Sequence, residues 1–184
     1  MTETATLNIR HAVAADARAL AHHMAEWFLA AYSHASSAGN LASFVTTNFS
    51  PQKQAAEISN PQIVTLVAEA GSDMVGYAQL RFATPAPPSI TEPGSAEVGR
   101  FYLAPTHHGR GTAALLMRAV RAAARERDRR WLWLLVWQQA PQAIRFYEKQ
   151  GFKKTGDAVF MVGDDRKADW VMHAPAADIT DSSQ

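Results

Sequence analysis

Pro105-Thr-His-His-Gly-Arg-Gly-Thr-Ala-Ala-Leu-Leu-Met117 is the stretch on which the reading of the chain turns. A short apolar run, Glu97 to Leu103, leads into it through a proline, and an amphipathic, arginine-studded pattern leaves it. Strand, glycine-punctuated loop and helix in that order put unpartnered backbone N–H groups, at the positive end of a helix dipole, beside a loop of small residues. Such an arrangement takes an anion. Gly109 and Gly111 leave the backbone open to a pyrophosphate, and Ala113 is nearly as small. The run has neither the Gly-Lys-Ser/Thr ending of a Walker loop nor the Gly-x-Gly-x-x-Gly of dinucleotide folds.

Further on stand Trp131-Leu-Trp-Leu-Leu-Val-Trp137 and Ala143-Ile-Arg-Phe-Tyr-Glu-Lys-Gln-Gly-Phe152. The first stretch resembles the acyl-CoA loop of the GNAT superfamily, Gln/Arg-x-x-Gly-x-Gly/Ala, as His108-Gly-Arg-Gly-Thr-Ala113, with His108 where the family carries Gln or Arg. The second is similar to the family's buried strand and following helix, Ala-Ile-x-Phe-Tyr-x-x-x-Gly-Phe. The resemblance spans residues 7 to 172, with its specific motifs in 97 to 172. It implies an α/β fold: a mixed, mostly antiparallel sheet with one splayed parallel pair and helices on both faces. It implies acetyl-CoA as co-substrate, without a metal. Cofactor contacts are carried onto Phe101, Tyr102 and Leu103 of the strand, His108, Gly109, Arg110, Gly111, Thr112 and Ala113 of the loop, and Ala140 and Phe146 of the second segment. Ala140 stands where the family has an asparagine, with Gln138 and Gln139 close by, and Phe146 also reads as core.

The same resemblance assigns chemistry. Expelling a thiolate from a thioester calls for a proton donor, and a phenol meets that need. The role falls on Tyr147, whose alternative is a tyrosine that only packs against the cofactor. An amine of pKa about 10 must lose a proton before it attacks. Glu97, eleven residues before His108, matches a glutamate that serves as base in some superfamily members, histone acetylases included; its alternative is a strand-edge charge. The Leu103 N–H is the expected oxyanion donor. Direct transfer needs no covalent enzyme intermediate, in keeping with a chain that has no cysteine.

At 184 residues and 47% hydrophobic composition the chain fits one domain, expected over 1–174, with a flexible tail at 175–184. The absence of cysteine also excludes disulfides and thiolate zinc sites, and fits a cytoplasmic location. No apolar run approaches a membrane span. Net charge is +1, unevenly placed: residues 100–154 hold twelve Lys/Arg against three Asp/Glu, and both flanks are acidic. Coenzyme A would satisfy such a basic block, as would a solvated arginine face.

The remaining elements are read from periodicity. Leu7 to Val13 reads as a strand, Asp16 as an N-cap or first-turn acid, and Ala17 to Ala31 as an amphipathic helix whose other face carries His22, His23 and Glu26. Adjacent histidines point about 100° apart, which argues against a metal there. Residues 33–61 read as one or two short helices shaping an acceptor pocket. Gln62 to Glu69 and Met74 to Phe82 read as a hairpin, and the proline-rich 83–95 as a loop. Strict alternation along 97–103 puts Glu97, Gly99, Phe101 and Leu103 on one face. Leu115, Leu116, Ala119, Val120 and Ala123 read as the buried side of the next helix, and Arg118, Arg121, Arg125 and Arg129 as an exposed stripe. Phe160 to Met172 reads as two strands about an acidic turn, a pattern that looks like the branch with polyamine acetyltransferases of the PaiA type. Asp164, Asp165 and Asp169 could draw a cationic acceptor, though acidic residues also suit a turn.

The reading is an N-acetyltransferase acting on a primary amine of a small molecule (polyamine, amino acid or amine antibiotic) or of a peptide, with no nucleic acid or membrane partner and a homodimer left open. The rivals are a catalytically silent CoA-binding module of the same fold and a nucleic-acid binder using the arginine helix, against which stands the lack of any aromatic interleaving.

Overall fold

The computed structural model describes residues 6–177. Its elements are β1 Leu7–His11, α1 Ala17–Tyr32, α2 Ala38–Asn48, α3 Pro51–Ser59, β2 Ile63–Ala70, β3 Asp73–Arg81, β4 Ser95–Leu103, α4 Thr112–Arg125, β5 Trp131–Trp137, α5 Pro141–Lys149, β6 Lys153–Val162 and β7 Asp165–Pro175. The strands form one sheet in the order β1-β2-β3-β4-β5-β7-β6. Every neighbouring pair is antiparallel except β4 and β5. None of the described helices is long and apolar enough to cross a membrane.

Each face of the sheet has its own core. Leu116, Val120 and Ala123 of α4, with Ile144 and Tyr147 of α5, pack on Ala78, Leu80, Ala96, Val98, Leu132 and Leu134. Leu20, Met24, Trp27 and Phe28 of α1, with Leu41 of α2, pack on Val67, Tyr77, Trp137 and Val162. Leu20, Met24 and Phe28 are wholly buried, at about 1.5–3 kcal/mol of transfer energy each. The proline-rich loop covers the rest of the α1 face, where Ile90 lies on Trp133 and Val171.

Capping explains the segment hardest to read. The Ser37 hydroxyl accepts from the Asn40 N–H at the start of α2, the Ser50 hydroxyl accepts from the Lys53 N–H at the start of α3, and Pro51 occupies the first turn. A polar layer then fixes α3 to the sheet. Arg100 of β4 lies 2.6 Å from Glu57, which also accepts from Gln79 of β3 at 3.0 Å.

Several expectations are corrected. Asp16 stands at the N-cap of α1 as expected, but its side chain bonds none of that helix's N–H groups; its carboxylate accepts from the Val13 N–H, closing the short 3-10 turn before α1, and pairs with Arg10 at 2.7 Å, while Arg10 also reaches Glu69. Hydrogen bonding by Arg10 holds the Asp16 carboxyl below its ordinary value. A carboxylate so lowered stabilises the fold fully above about pH 4, and its contribution is lost as pH falls through the lowered pKa. The stability gap between wild type and Asp16→Asn is therefore expected to hold from pH 5 to 8 and to close under strong acid, as urea titrations at each pH would show.

On α1 Ala31 is exposed and Tyr32 buried, because the helix inclines onto Trp137. On α4 Leu115 is exposed and Met117 and Ala124 are buried. Arg121 departs furthest from the expected stripe, being 2% exposed. It donates to the carbonyls of Gln150, Pro175 and Ala177, with its guanidinium 5.7 Å from the Phe152 ring. Arg125 donates to the Ala176 carbonyl and Arg127 to that of Pro61. Three of the twelve basic side chains of that block thus serve backbone carbonyls of this chain. The tail expected from residue 175 begins as held chain, with Ala176 buried and its N–H on the Arg130 carbonyl at 2.8 Å. Residues 178–184 lie outside the described residues.

Candidate active site

The site grows from the single parallel pair. β4 and β5 are in register only at Ser95–Glu97 against Trp131–Trp133, and beyond that they diverge. The facing edges of 98–103 and 134–137 therefore lose each other as partners, which opens a gap at the carboxyl ends of two parallel strands. Ala104 donates to the Val75 carbonyl of β3 at 2.9 Å. Peptide groups alternate along a strand, so the N–H of Leu103 points to the other edge, into the gap.

A bulge decides which side chains line each side. Arg100 pairs with Gln79 and Val98 with Leu80, so Gly99 is an extra residue in β4. The bulge shifts the phase of the strand. Val98 shares the α4 face with Phe101 and Leu103, while Arg100 and Tyr102 face α1. The unbroken alternation expected from the sequence is thereby corrected: Glu97 belongs with Arg100 and Tyr102, opposite Arg81 of β3 and beside Trp133 of β5. Its Oε2 is buried without a hydrogen-bond partner among the described residues.

The loop after β4 passes through a single 3-10 turn at Pro105–His107 and enters α4. Gly109 has φ 71° and Gly111, the N-cap of α4, has φ 82°, both left-handed. A Cβ on either would meet nothing within 4 Å. Crowding by the protein therefore does not explain these glycines; backbone conformation and space left for a ligand do. Gly111→Ala is expected to cost about 1–2 kcal/mol through φ alone. With the methyl in the ligand's path, coenzyme A affinity should fall about tenfold or more; calorimetry and Tm measure the two effects. The N–H groups of Thr112 and Ala113 head α4 at this mouth, where Arg110 is exposed and Thr112 buried. His108 folds back, its Nε2 donating to the Leu103 carbonyl at 3.3 Å, which ties the loop to the strand end.

Across the gap, Ala140 caps α5 without a side-chain hydrogen bond, and Gln138 is engaged with Asp157 at 3.2 Å. Tyr147 is buried among Phe101, Phe146 and Phe152, with ring centroids 5.3 to 6.2 Å away. Phe146 is half-buried and stacks on Phe101 at 5.5 Å. Burial first, and then the neighbouring Tyr102, push the Tyr147 hydroxyl above its ordinary value, so it stays protonated at neutral pH. Tyr147 thus stands against the strand whose edge lines the gap, with Tyr102 as its electrostatic neighbour.

Other expected groups lie apart. His22, His23 and Glu26 bring their ligand atoms within 4.8 Å of one another, closer than their spacing implies, because His23 stacks on Trp27 and bonds Glu26. His22 and Glu26 are exposed on α1, while His23 begins a ring stack that continues through Trp27 and Tyr77 to Tyr102. The acidic turn docks on α2: the Asp164 N–H donates to Asn40, and Asp165 accepts from the Ser37 N–H. Cavities lined by His11, Pro61 and Arg127, and by Arg125, Arg130 and Ala176, lie at the opposite end of the sheet.

A parallel pair opened at its carboxyl end, with a glycine loop and a helix N-terminus at the mouth, makes a site for an extended phosphorylated ligand, as the resemblance to acyl-CoA-dependent transferases implies. The Acetyltransferase (GNAT) family model matches residues 17–152, and the chain belongs to that family. It is 35% identical over 157 residues to an uncharacterized N-acetyltransferase of Mycobacterium tuberculosis, covering 85% of this chain and 96% of that one. Among solved structures, the fold is similar to that of the PaiA N-acetyltransferase of Thermoplasma acidophilum in complex with coenzyme A, with TM-score 0.76, 23% identity, and 92% and 99% of the two chains covered. It is also similar to spermidine N-acetyltransferase from Vibrio cholerae in complex with CoA and spermine, with TM-score 0.65, 18% identity, and 94% and 96% covered. The protein is an acetyl-CoA-dependent N-acetyltransferase, with the mixed sheet and splayed pair expected of it.

Proposed function

We propose that this enzyme moves the acetyl group of acetyl-CoA directly onto a primary amine of a small molecule or peptide, with Tyr147 as proton donor to the leaving thiolate. The observation that carries this is the splay of β4 from β5 with Tyr147 beside it. In this reading the pyrophosphate rests on the N–H groups from Gly109 to Ala113, with Arg110 and His108 alongside. The pantetheine arm runs against the free edge of Phe101 to Leu103, past Ala140 and Phe146. The thioester carbonyl then accepts from the Leu103 N–H, which stabilises the oxyanion as the amine attacks.

The amine comes from the α1 face, where Tyr32, Trp137 and Tyr102 line the approach. Attack forms the C–N bond, and collapse of the adduct breaks the C–S bond. The Tyr147 hydroxyl protonates the thiolate and regains a proton from the acylated nitrogen. Two carboxylates on this face can draw the first proton from the incoming ammonium: Glu97, expected from the sequence, and Asp169. A polyamine, an amino acid or an amine antibiotic has the required group, and the polyamine-binding neighbour shares this fold. Thiol release from acetyl-CoA with spermidine, a lysine-bearing peptide and an aminoglycoside tests the proposal. Release should depend on at least one amine.

A further inference from the structure

Asp169 lies in the middle of β7, opposite Trp137 of β5 and Ala158 of β6. Residues directly opposite in antiparallel strands share a face, and Trp137 packs with α1, so the Asp169 carboxyl stands on the side from which the amine arrives. It is 3% exposed, and its Oδ1 has no hydrogen-bond partner among the described residues. Leaving a carboxylate out of water without a partner is costly, and mid-strand residues are otherwise chosen for packing. The adjacent turn is engaged with α2 through the Asp164 N–H and the Asp165 carboxylate, so Asp169 is separate from it.

Its position along the sheet matters. Glu97 is level with Trp133, at the closed end of the splay. Trp137, and with it Asp169, lies four residues further on, about 13 Å along the strand. That is the open end, with Leu103 and Tyr147. Electrostatics agree: burial first raises the hydroxyls of Tyr32 and Tyr102, and Asp169 adds to both, behind Tyr102 in the case of Tyr32 and against a larger lowering by Arg100 in the case of Tyr102; Tyr102 in turn raises Tyr147.

Resting on the acetyltransferase reading above, we infer that Asp169 seats the ammonium of an alkylamine acceptor against Tyr32, Tyr102 and Trp137 and accepts its first proton. Aromatic faces around one carboxylate suit an alkylammonium in particular. The step balances: R–NH3+ gives a proton to the Asp169 carboxylate, and the neutral amine forms the C–N bond as the C–S bond breaks. A second proton reaches the thiolate through Tyr147, and the third stays on the amide. Burial raises the Asp169 carboxyl to about 7, a value suited to a base at neutral pH. The other charged or titratable groups near it are accounted for. Lys167 of β7 donates to the Ala35 carbonyl and lies 4.0 Å from Asp165. Arg100 of β4 is paired with Glu57, His34 lies 5.6 Å from the Trp137 ring, and Ala158, Phe160 and Val162, which β6 places on this face, carry no charge.

The test is Asp169→Asn beside Glu97→Gln, with the best amine of the panel. Wild-type kcat/KM for the amine should rise with pH through an apparent pKa near 7. Asp169→Asn should lose that limb and fall about 100-fold, with the KM for acetyl-CoA within about twofold. A limb kept in Asp169→Asn and lost in Glu97→Gln overturns the inference. Two further readouts need no turnover. The carboxyl is raised in the fold, so wild type loses stability as pH climbs from about 4 to 7 and the Asn variant does not. The Tm advantage of Asp169→Asn should therefore grow over that range, and a flat difference contradicts an unpaired buried carboxylate. Calorimetry of spermidine with the coenzyme A complex should show at least tenfold weaker binding in the variant, and equal affinity counts against it. A wild type that binds coenzyme A but acetylates no amine would sink the transferase reading, and these two readouts would still decide Asp169.

Discussion

Tyr147→Phe is expected to bind coenzyme A as wild type does and to lose about 100-fold or more in kcat, since a positioned proton donor contributes about 10²–10⁴-fold. The substitution removes one oxygen and keeps the ring among Phe101, Phe146 and Phe152, so Tm should change little. The loss should fall on kcat, because the hydroxyl is needed only as charge develops on sulfur. A phenol held above its ordinary pKa by burial does not ionise near neutrality, so wild-type activity should show no falling limb from Tyr147 below pH 9. A variant with full turnover reduces Tyr147 to packing. One that loses coenzyme A binding makes it a binding residue.

Arg121→Ala should cost about 3–5 kcal/mol, the largest stability effect of any α4 substitution considered. Three backbone carbonyls, from Gln150, Pro175 and Ala177, converge on this guanidinium beneath the Phe152 ring. Truncation would leave them short of donors around a guanidinium that is itself buried, at about 1–3 kcal/mol for each carbonyl that water does not then reach. Urea denaturation should show a lower midpoint. Limited proteolysis should show earlier cleavage at the C-terminal segment that Arg121 and Arg125 hold. Arg118→Ala, on the exposed side of the same helix, should stay within about 0.5 kcal/mol of wild type.

The difference between those two arginines marks where sequence reading stops. Helical spacing places both on one stripe, but what buries Arg121 is a set of carbonyls supplied from residues far along the chain. No local pattern encodes that meeting. The bulge at Gly99 is similar: a period of two, carried through it, sends Glu97 to the wrong face, and only the pairing of Val98 with Leu80 and Arg100 with Gln79 reveals the extra residue. Asp169 was visible only as one of several acids near a turn. Its isolation follows from register with Trp137. By contrast, the order of β4, the glycine loop and α4 was legible, since each boundary has a local cause: Pro105 ends the strand, Gly109 and Gly111 take left-handed φ, and a heptad-like apolar pattern follows. The hairpin of β2 and β3 and the pair β6 and β7 were legible for the same reason. Of the candidate site, the gap depends on strands diverging after Glu97 and Trp133, a tertiary fact that the resemblance supplied and the residues alone did not.

The most direct test of direct acetyl transfer is to mix the enzyme with acetyl-CoA and follow free thiol and acetylated amine together, with and without each amine of the panel. The mechanism requires thiol release that depends on the amine, one acetylated amine for each thiol, and no acetyl group retained on the protein. Thiol released at an unchanged rate without amine, or an acetylated enzyme that forms before the amine is added, would contradict it.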